Sequence, residues 1–141
     1  MSVETTATRT AETDGAADRH GPDWTRVGAG LLALGVALAA FAAHGLEKMV
    51  EPDLVSPFDT GVRQHMWHAL GLMVLGRLDA PPRATGWLVL LGIVLFSGSL
   101  YVLSLSGQRW LGAVTPLGGL SFMAGWSILA IKGWKRAPEG P

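Results

Sequence analysis

The order of polar and apolar positions divides the chain into one opening stretch without rhythm and four oily segments. Residues Met1 to Arg26 are rich in Thr, Ala, Asp and Glu and show neither a helical nor a strand period. A stretch of that kind cannot bury enough surface to offset its chain entropy, so residues 1–26 are expected to form a disordered cytoplasmic tail. Five acids (Glu4, Glu12, Asp14, Asp18 and Asp23) argue against an organelle transit peptide, which is acid-poor. Ala40-Phe41-Ala42 follows an apolar run as a signal cleavage site does, but the polar region before it is too long for a usual signal.

Beyond the tail, Val27 to Ala43, Gly86 to Leu105 and Leu111 to Ile131 carry no charge and are apolar around their whole circumference. A soluble helix keeps a polar face, so these three are expected to face lipid, each long enough for about 30 Å of hydrocarbon. Val62 to Leu78 is different. It holds Arg63, Gln64, His65 and His68 and reaches Arg77. Ser56-Pro57-Phe58-Asp59 predicts its start outside the membrane, with a capping serine, a first-turn proline and an acid at the third position. Arg63 can then snorkel to the headgroups and pair with Asp59 four residues earlier.

Charge decides whether this second segment crosses. With four spans (about 27–44, 62–78, 86–105 and 111–131), one side holds Arg9, Arg19, Arg26, Arg77, Arg83, Lys132, Lys135 and Arg136. The other holds Lys48, Arg63 and Arg109, and eight against three is a positive-inside bias. The expected fold is therefore an all-α membrane protein, a four-transmembrane-helix bundle over residues 27–132. Both termini are cytoplasmic, including a C-tail over 133–141.

Composition fits a bilayer. Charged residues make up 16% of the chain, against about 25% in an ordinary soluble domain. Trp24, Trp87 and Trp134 fall at the expected inner ends, and Trp67, Tyr101 and Trp110 towards the outer ends, as an interfacial belt requires. Acids and bases cancel at eleven each, so no global field draws in nucleic acid. The absence of cysteine removes disulfides, thiolate metal sites and cysteine nucleophiles. No internal repeat is evident, which weakens an inverted-repeat transporter reading.

Helices in lipid associate through small residues. The first span offers Ala29-Ala33-Ala37 and Gly35-Ala39-Ala43, the third offers Gly98 between two serines, and the fourth offers Gly118, Ser121 and Gly125. Thr115-Pro116 reads as a cap and first-turn proline for the fourth span, or else as a kink within it.

Four blocks then point to a family. Ala39-Ala40-Phe41-Ala42-Ala43-His44-Gly45-Leu46 is followed by Phe58-Asp59-Thr60-Gly61-Val62-Arg63 leading to His68-Ala69-Leu70. Next come Phe96-Ser97-Gly98-Ser99-Leu100-Tyr101 and Thr115-Pro116-Leu117-Gly118-Gly119, with Gly125-Trp126 after them. From Val27 to Ile131 the chain resembles the domain of unknown function 423 family, whose animal relatives are called transmembrane protein 256. It departs from that pattern at Gln64-His65, where a Tyr-Gln pair is usual, and at Ala40 and Ala42, where glycine is usual. The resemblance implies a small multi-span protein of the bacterial inner membrane and brings no activity with it.

The polar residues within the spans are the candidates for function, because burying them is costly unless they are partnered. His44, Gln64, His68, Ser97, Tyr101 and Thr115 are expected to approach one another in an outward-facing cluster. Against this, His44 before Gly45 also reads as a helix C-terminal residue facing the dipole. His68 could simply bond Tyr101 or a backbone carbonyl across the helix contact, and His65 reads as interfacial and solvated. His44, His65 and His68 are weak candidates for zinc, copper or haem iron; no acid or thiolate completes a site, and no cofactor is expected.

Nothing that titrates lies in Gly71 to Gly76, Trp87 to Phe96 or Phe122 to Ile131, so a proton or ion path through one protomer is not expected. Phosphate loops, nucleophile elbows and zinc signatures are absent from the sequence, which speaks against an enzyme. The leading expectation is a structural or accessory subunit that packs against itself or a larger membrane complex in the lipid bilayer. The alternative is a small ligand-binding or transport module using the outward polar cluster.

Overall fold

The computed structural model describes residues 21–133, and over that range the chain is helical. Four long helices come one after another: α1 (Trp24–His44), α2 (Pro52–Leu75), α3 (Arg83–Ser106) and α4 (Thr115–Lys132). Short 3-10 segments at Leu46–Lys48 and Arg109–Ala113 lead out of α1 and into α4. Three helices are long and apolar enough to cross a membrane: α1, α3, and α4 together with its 3-10 lead. Of the tail expected over 1–26, residues 1–20 lie outside the described residues, as do residues 134–141 of the C-tail. Residues Trp24 to Arg26 belong to α1, because Asp23 provides a cap: its carboxylate accepts the Arg26 N–H at 3.1 Å.

The start of α2 differs from the sequence expectation. The helix begins at Pro52, with Asp53 in its first turn, and Pro57 lies inside it. Pro52, rather than Pro57, supplies the preset φ of the first turn, and Leu54 and Phe58 are already on the buried stripe. Ser56 is not a cap; its carbonyl accepts the Thr60 hydroxyl at 3.0 Å. Asp59 and Arg63 make no ion pair with each other. The acids that pair on this side are Asp53 and Glu51, which meet Arg109 at 2.8 and 3.5 Å and tie the α1–α2 connection to the α3–α4 connection.

Contacts run the full length of α1 and α2. Gly76 abuts Trp24 and Thr25, Gly28 lies on Ala69 and Met73, and Gly35 lies on Met66. At the other end Ala42 and Leu46 pack with Phe58 and Val62. A side chain at Gly28 or Gly35 would collide with α2, so the glycines set the approach of the two helices. The other small residues singled out in the sequence divide. Gly118 sits against the Phe96 backbone and Gly125 lies against Leu88 and Val89, while the Ser121 hydroxyl donates to the Leu88 carbonyl at 2.7 Å. Ala39 packs on the cluster of Ala42, Leu46, Phe58 and Val62, Ala43 is exposed, and Gly98 has open space where a side chain would go.

Helix α3 is interrupted by a π turn over Ile93–Ser97, where the Gly98 N–H reaches back to the Ile93 carbonyl. The wider turn rotates the remainder of the helix, so that Ser97, Ser99, Leu100, Leu103 and Ser104 are buried after Val89, Gly92 and Ile93. Gly107, at φ 71°, ends the helix in a left-handed turn that favours glycine.

Two apolar clusters fill the bundle. One joins Trp24, Leu72, Leu75, Val89, Ile93 and Phe122; the other joins Ala42, Leu46, Phe58 and Val62, with Tyr101 beside them. Trp24 is therefore a core residue rather than part of an interfacial belt. Its indole fits over Gly86 and meets Trp87 edge to face at 5.4 Å. Large apolar side chains such as Trp67, Trp110, Leu120 and Ile131 point outward, as helices in lipid require. Thr115 and Pro116 open α4, the proline in its first turn, while Val114 takes the cap position without a side-chain bond.

Candidate functional site

Among the described residues the buried polar side chain with the most cross-helix bonds is His65. It lies on the stripe Leu54, Phe58, Val62, His65, Ala69, Leu72 and Leu75, all buried, and is itself 2% exposed. Its two ring nitrogens join three helices: Nε2 lies 2.9 Å from the Leu31 carbonyl of α1, and Nδ1 lies 3.1 Å from the Tyr101 hydroxyl of α3. A carbonyl can only accept, so Nε2 carries the proton and Nδ1 of the neutral ring accepts from the Tyr101 O–H. The ring lies over Gly35, and the missing side chain there opens the Leu31 carbonyl to a second donor. Phe58 closes the site, with its ring tilted against Tyr101 at 4.8 Å.

His68, three residues on, has the opposite tautomer. Its Nδ1–H donates to the Gln64 carbonyl at 2.8 Å, and the ring stacks on Phe122 of α4 with centroids 3.4 Å apart. Nε2 has no hydrogen-bond partner among the described residues, and Trp126 stands beside the ring at 6.2 Å. Tyr101 thus meets His65 and not His68. The expectation of a solvated His65 is corrected by its position on the buried stripe.

The six residues expected to cluster are spread over several places. His44 is exposed at the end of α1, and Gln64 and His68 share one turn of α2. Ser97 is fully buried one turn before Tyr101. Thr115 belongs to a separate pair with Ser99, hydroxyl to hydroxyl at 2.9 Å; since Ser99 donates to the Phe96 carbonyl, Thr115 is the donor between them. Buried hydroxyls on Thr85, Ser97 and Ser104 have no hydrogen-bond partner among the described residues. Among the described residues no three His, Cys, Asp or Glu side chains converge as metal ligands. His44 is exposed at the end of α1, His65 is bonded to α1 and α3, and His68 faces α4.

Two openings lie at the end of the bundle where α2 begins. One, of about 400 Å³, is lined by Met49, Glu51, Leu54, Ser104 and Arg109. The other, of about 570 Å³, is a groove lined by Glu47, Ser56, Asp59 and Arg63. Neither reaches His65 or His68.

Residues 38–119, which hold most of these polar positions, match the family model described as Protein of unknown function (DUF423). The chain is 43% identical over 106 residues to a UPF0382 membrane protein of Staphylococcus haemolyticus, covering 72% of this chain and 87% of the relative. It is 45% identical over 104 residues to the UPF0382 membrane protein YwdK of Bacillus subtilis, covering 70% and 85%. The UPF0382 inner membrane protein YgdD of Escherichia coli is 39% identical over 102 residues, covering 68% and 77%. No solved structure matches the chain. With its helical fold and these relatives, the chain belongs to the DUF423 family of UPF0382 membrane proteins.

Proposed function

We propose that the chain is a four-span protein of the bacterial inner membrane with both termini in the cytoplasm. Its role is that of a non-catalytic subunit packing against a second copy or a larger membrane complex. For the topology, the supporting observation is register. α1 is apolar enough to span, and α2 lies antiparallel along all of it, from Gly76 at Thr25 to Phe58 at Leu46. A helix in contact along a full span crosses the same thickness, and the basic residues then sit inside. The E. coli relative is named an inner membrane protein, which supports the compartment.

For the role, the observation that carries most weight is the outer face of α1. Ala29, Ala33, Ala37, Ala40 and Ala43 succeed one another along it, all exposed. Lipid does not require alanine, whereas a neighbouring helix packs closely on such a face. Purification in mild detergent followed by mass measurement tests the role: an oligomer or a stoichiometric partner is expected, and Ala33→Leu with Ala37→Leu should release it. A strictly monomeric protein with no co-purifying partner refutes the reading.

A further inference from the structure

The groove lined by Glu47, Pro52, Val55, Ser56, Asp59 and Arg63 combines one cation and two anions. The middle of α1 is near Leu34, and Gly35 packs on His65 and Met66, so Arg63 lies about 5 Å and Asp59 about 11 Å outward of mid-bundle. The hydrocarbon extends about 15 Å to either side of the middle. Arg63 is exposed at a depth where an unpaired guanidinium is costly, and it makes no ion pair with Asp59. Side chains on a helix lean towards its N-terminus, so Arg63 extends outward along the groove. Asp59 is one turn above it, and Glu47 lies farther out, beyond the end of α1.

We infer that this groove holds the headgroup of a zwitterionic phospholipid bearing a primary ammonium, a phosphatidylethanolamine, from the outer leaflet. The set of charges matches the lipid: one cation beside one acid, with the second acid, Glu47, farther out. The phosphate, on the acyl side, meets the guanidinium of Arg63 in a charge-assisted hydrogen bond. The ammonium, on the water side of a short linker, donates to the carboxylates of Asp59 and Glu47. A phosphatidylglycerol headgroup would bring a hydroxyl and no cation to those acids, and a choline headgroup would bring no N–H. The leaflet rests on the topology proposed above, but retention of the lipid does not.

Native mass spectrometry of the protein, released from vesicles of equal phosphatidylethanolamine, phosphatidylglycerol and phosphatidylcholine, tests the assignment. Phosphatidylethanolamine is expected to be retained preferentially. Arg63→Gln should lower lipid retention about fivefold, the worth of one basic residue at a membrane surface, and Arg63→Lys should keep most of it. Asp59→Asn together with Glu47→Gln should abolish the preference for phosphatidylethanolamine while retention persists, so the inference stays testable even where Arg63→Gln expresses poorly. Equal retention by wild type and Arg63→Gln overturns it, as does phosphatidylglycerol bound as well as phosphatidylethanolamine. So does displacement of the lipid by free phosphoethanolamine, which would indicate a soluble ligand. Detergent-released protein has no sidedness, so a failure here and a failure of the topology are separate results.

Discussion

Replacing Tyr101 with Phe removes one hydroxyl from the centre of the bundle and keeps the ring, including its contact with Phe58. No cavity opens beyond the hydroxyl, so the cost is electrostatic. The Nδ1 atom of His65, in a residue 2% exposed, loses its donor. Hydrogen bonds between helices in membranes are worth about 0.6 kcal/mol on average and up to about 1.7. A buried acceptor left unpaired adds a desolvation cost of about 1–3 kcal/mol. Tyr101→Phe should therefore cost about 1–2 kcal/mol, less than a simple sum because the orphaned imidazole can recruit water. His65→Leu should cost a similar amount by orphaning the Tyr101 hydroxyl, while the Leu31 carbonyl keeps its bond within α1. In the double variant the orphan is gone, so a coupling of about 1 kcal/mol is expected. Reversible unfolding in bicelles across the four proteins measures it. Additive effects, or a Tyr101→Phe variant within about 0.3 kcal/mol of wild type, would refute the three-helix clamp.

Other substitutions discriminate between neighbours in sequence. Gly118→Ala should destabilise strongly in the same unfolding assay, because a side chain there meets the Phe96 backbone, which cannot swing aside. Gly98→Ala has open space and should be neutral or stabilising by up to about 1 kcal/mol through helix propensity. Ser121→Ala removes one hydroxyl bond to the Leu88 carbonyl, which keeps its place in the helix, so thermal unfolding should shift only by the equivalent of about 0.6 kcal/mol. Arg109→Gln breaks the pairs with Asp53 and Glu51 without measurable loss of stability, since all three side chains are largely exposed.

The family and the all-helical class were legible in the sequence because apolar runs and the four matched blocks are local signals. The start of α2 was harder. Ser56-Pro57 has the chemistry of a helix start, but Glu51-Pro52-Asp53 has it too, and the buried positions Leu54 and Phe58 decide between them. The π turn leaves no periodic trace in Ile93–Ser97, where every side chain except serine is apolar. Of the polar residues, His65 could have been found from the spacing Phe58, Val62, His65, Ala69 and Leu72, which is a helical stripe. An interfacial, solvated His65 does not fit that periodicity. The pairing of Tyr101 with His65, and of Ser99 with Thr115, depends on the rotation of α3 after the π turn, which the sequence does not encode locally. The small residues behaved unevenly for a related reason: Gly35, Gly118 and Gly125 face another helix, whereas Gly98 and Ala43 do not, and composition alone does not set that rotation.

The central claim is that α2 crosses the membrane, so that the α1–α2 and α2–α3 connections lie on opposite sides. Because the chain has no cysteine, single replacements report each side cleanly. Met49→Cys and Asp79→Cys, treated in intact cells with a membrane-impermeant thiol reagent, measure this directly. Labelling of the first alone, with the second reacting only after lysis, is the expected result; equal labelling of both from outside, or of neither, would contradict four spans with the termini inside.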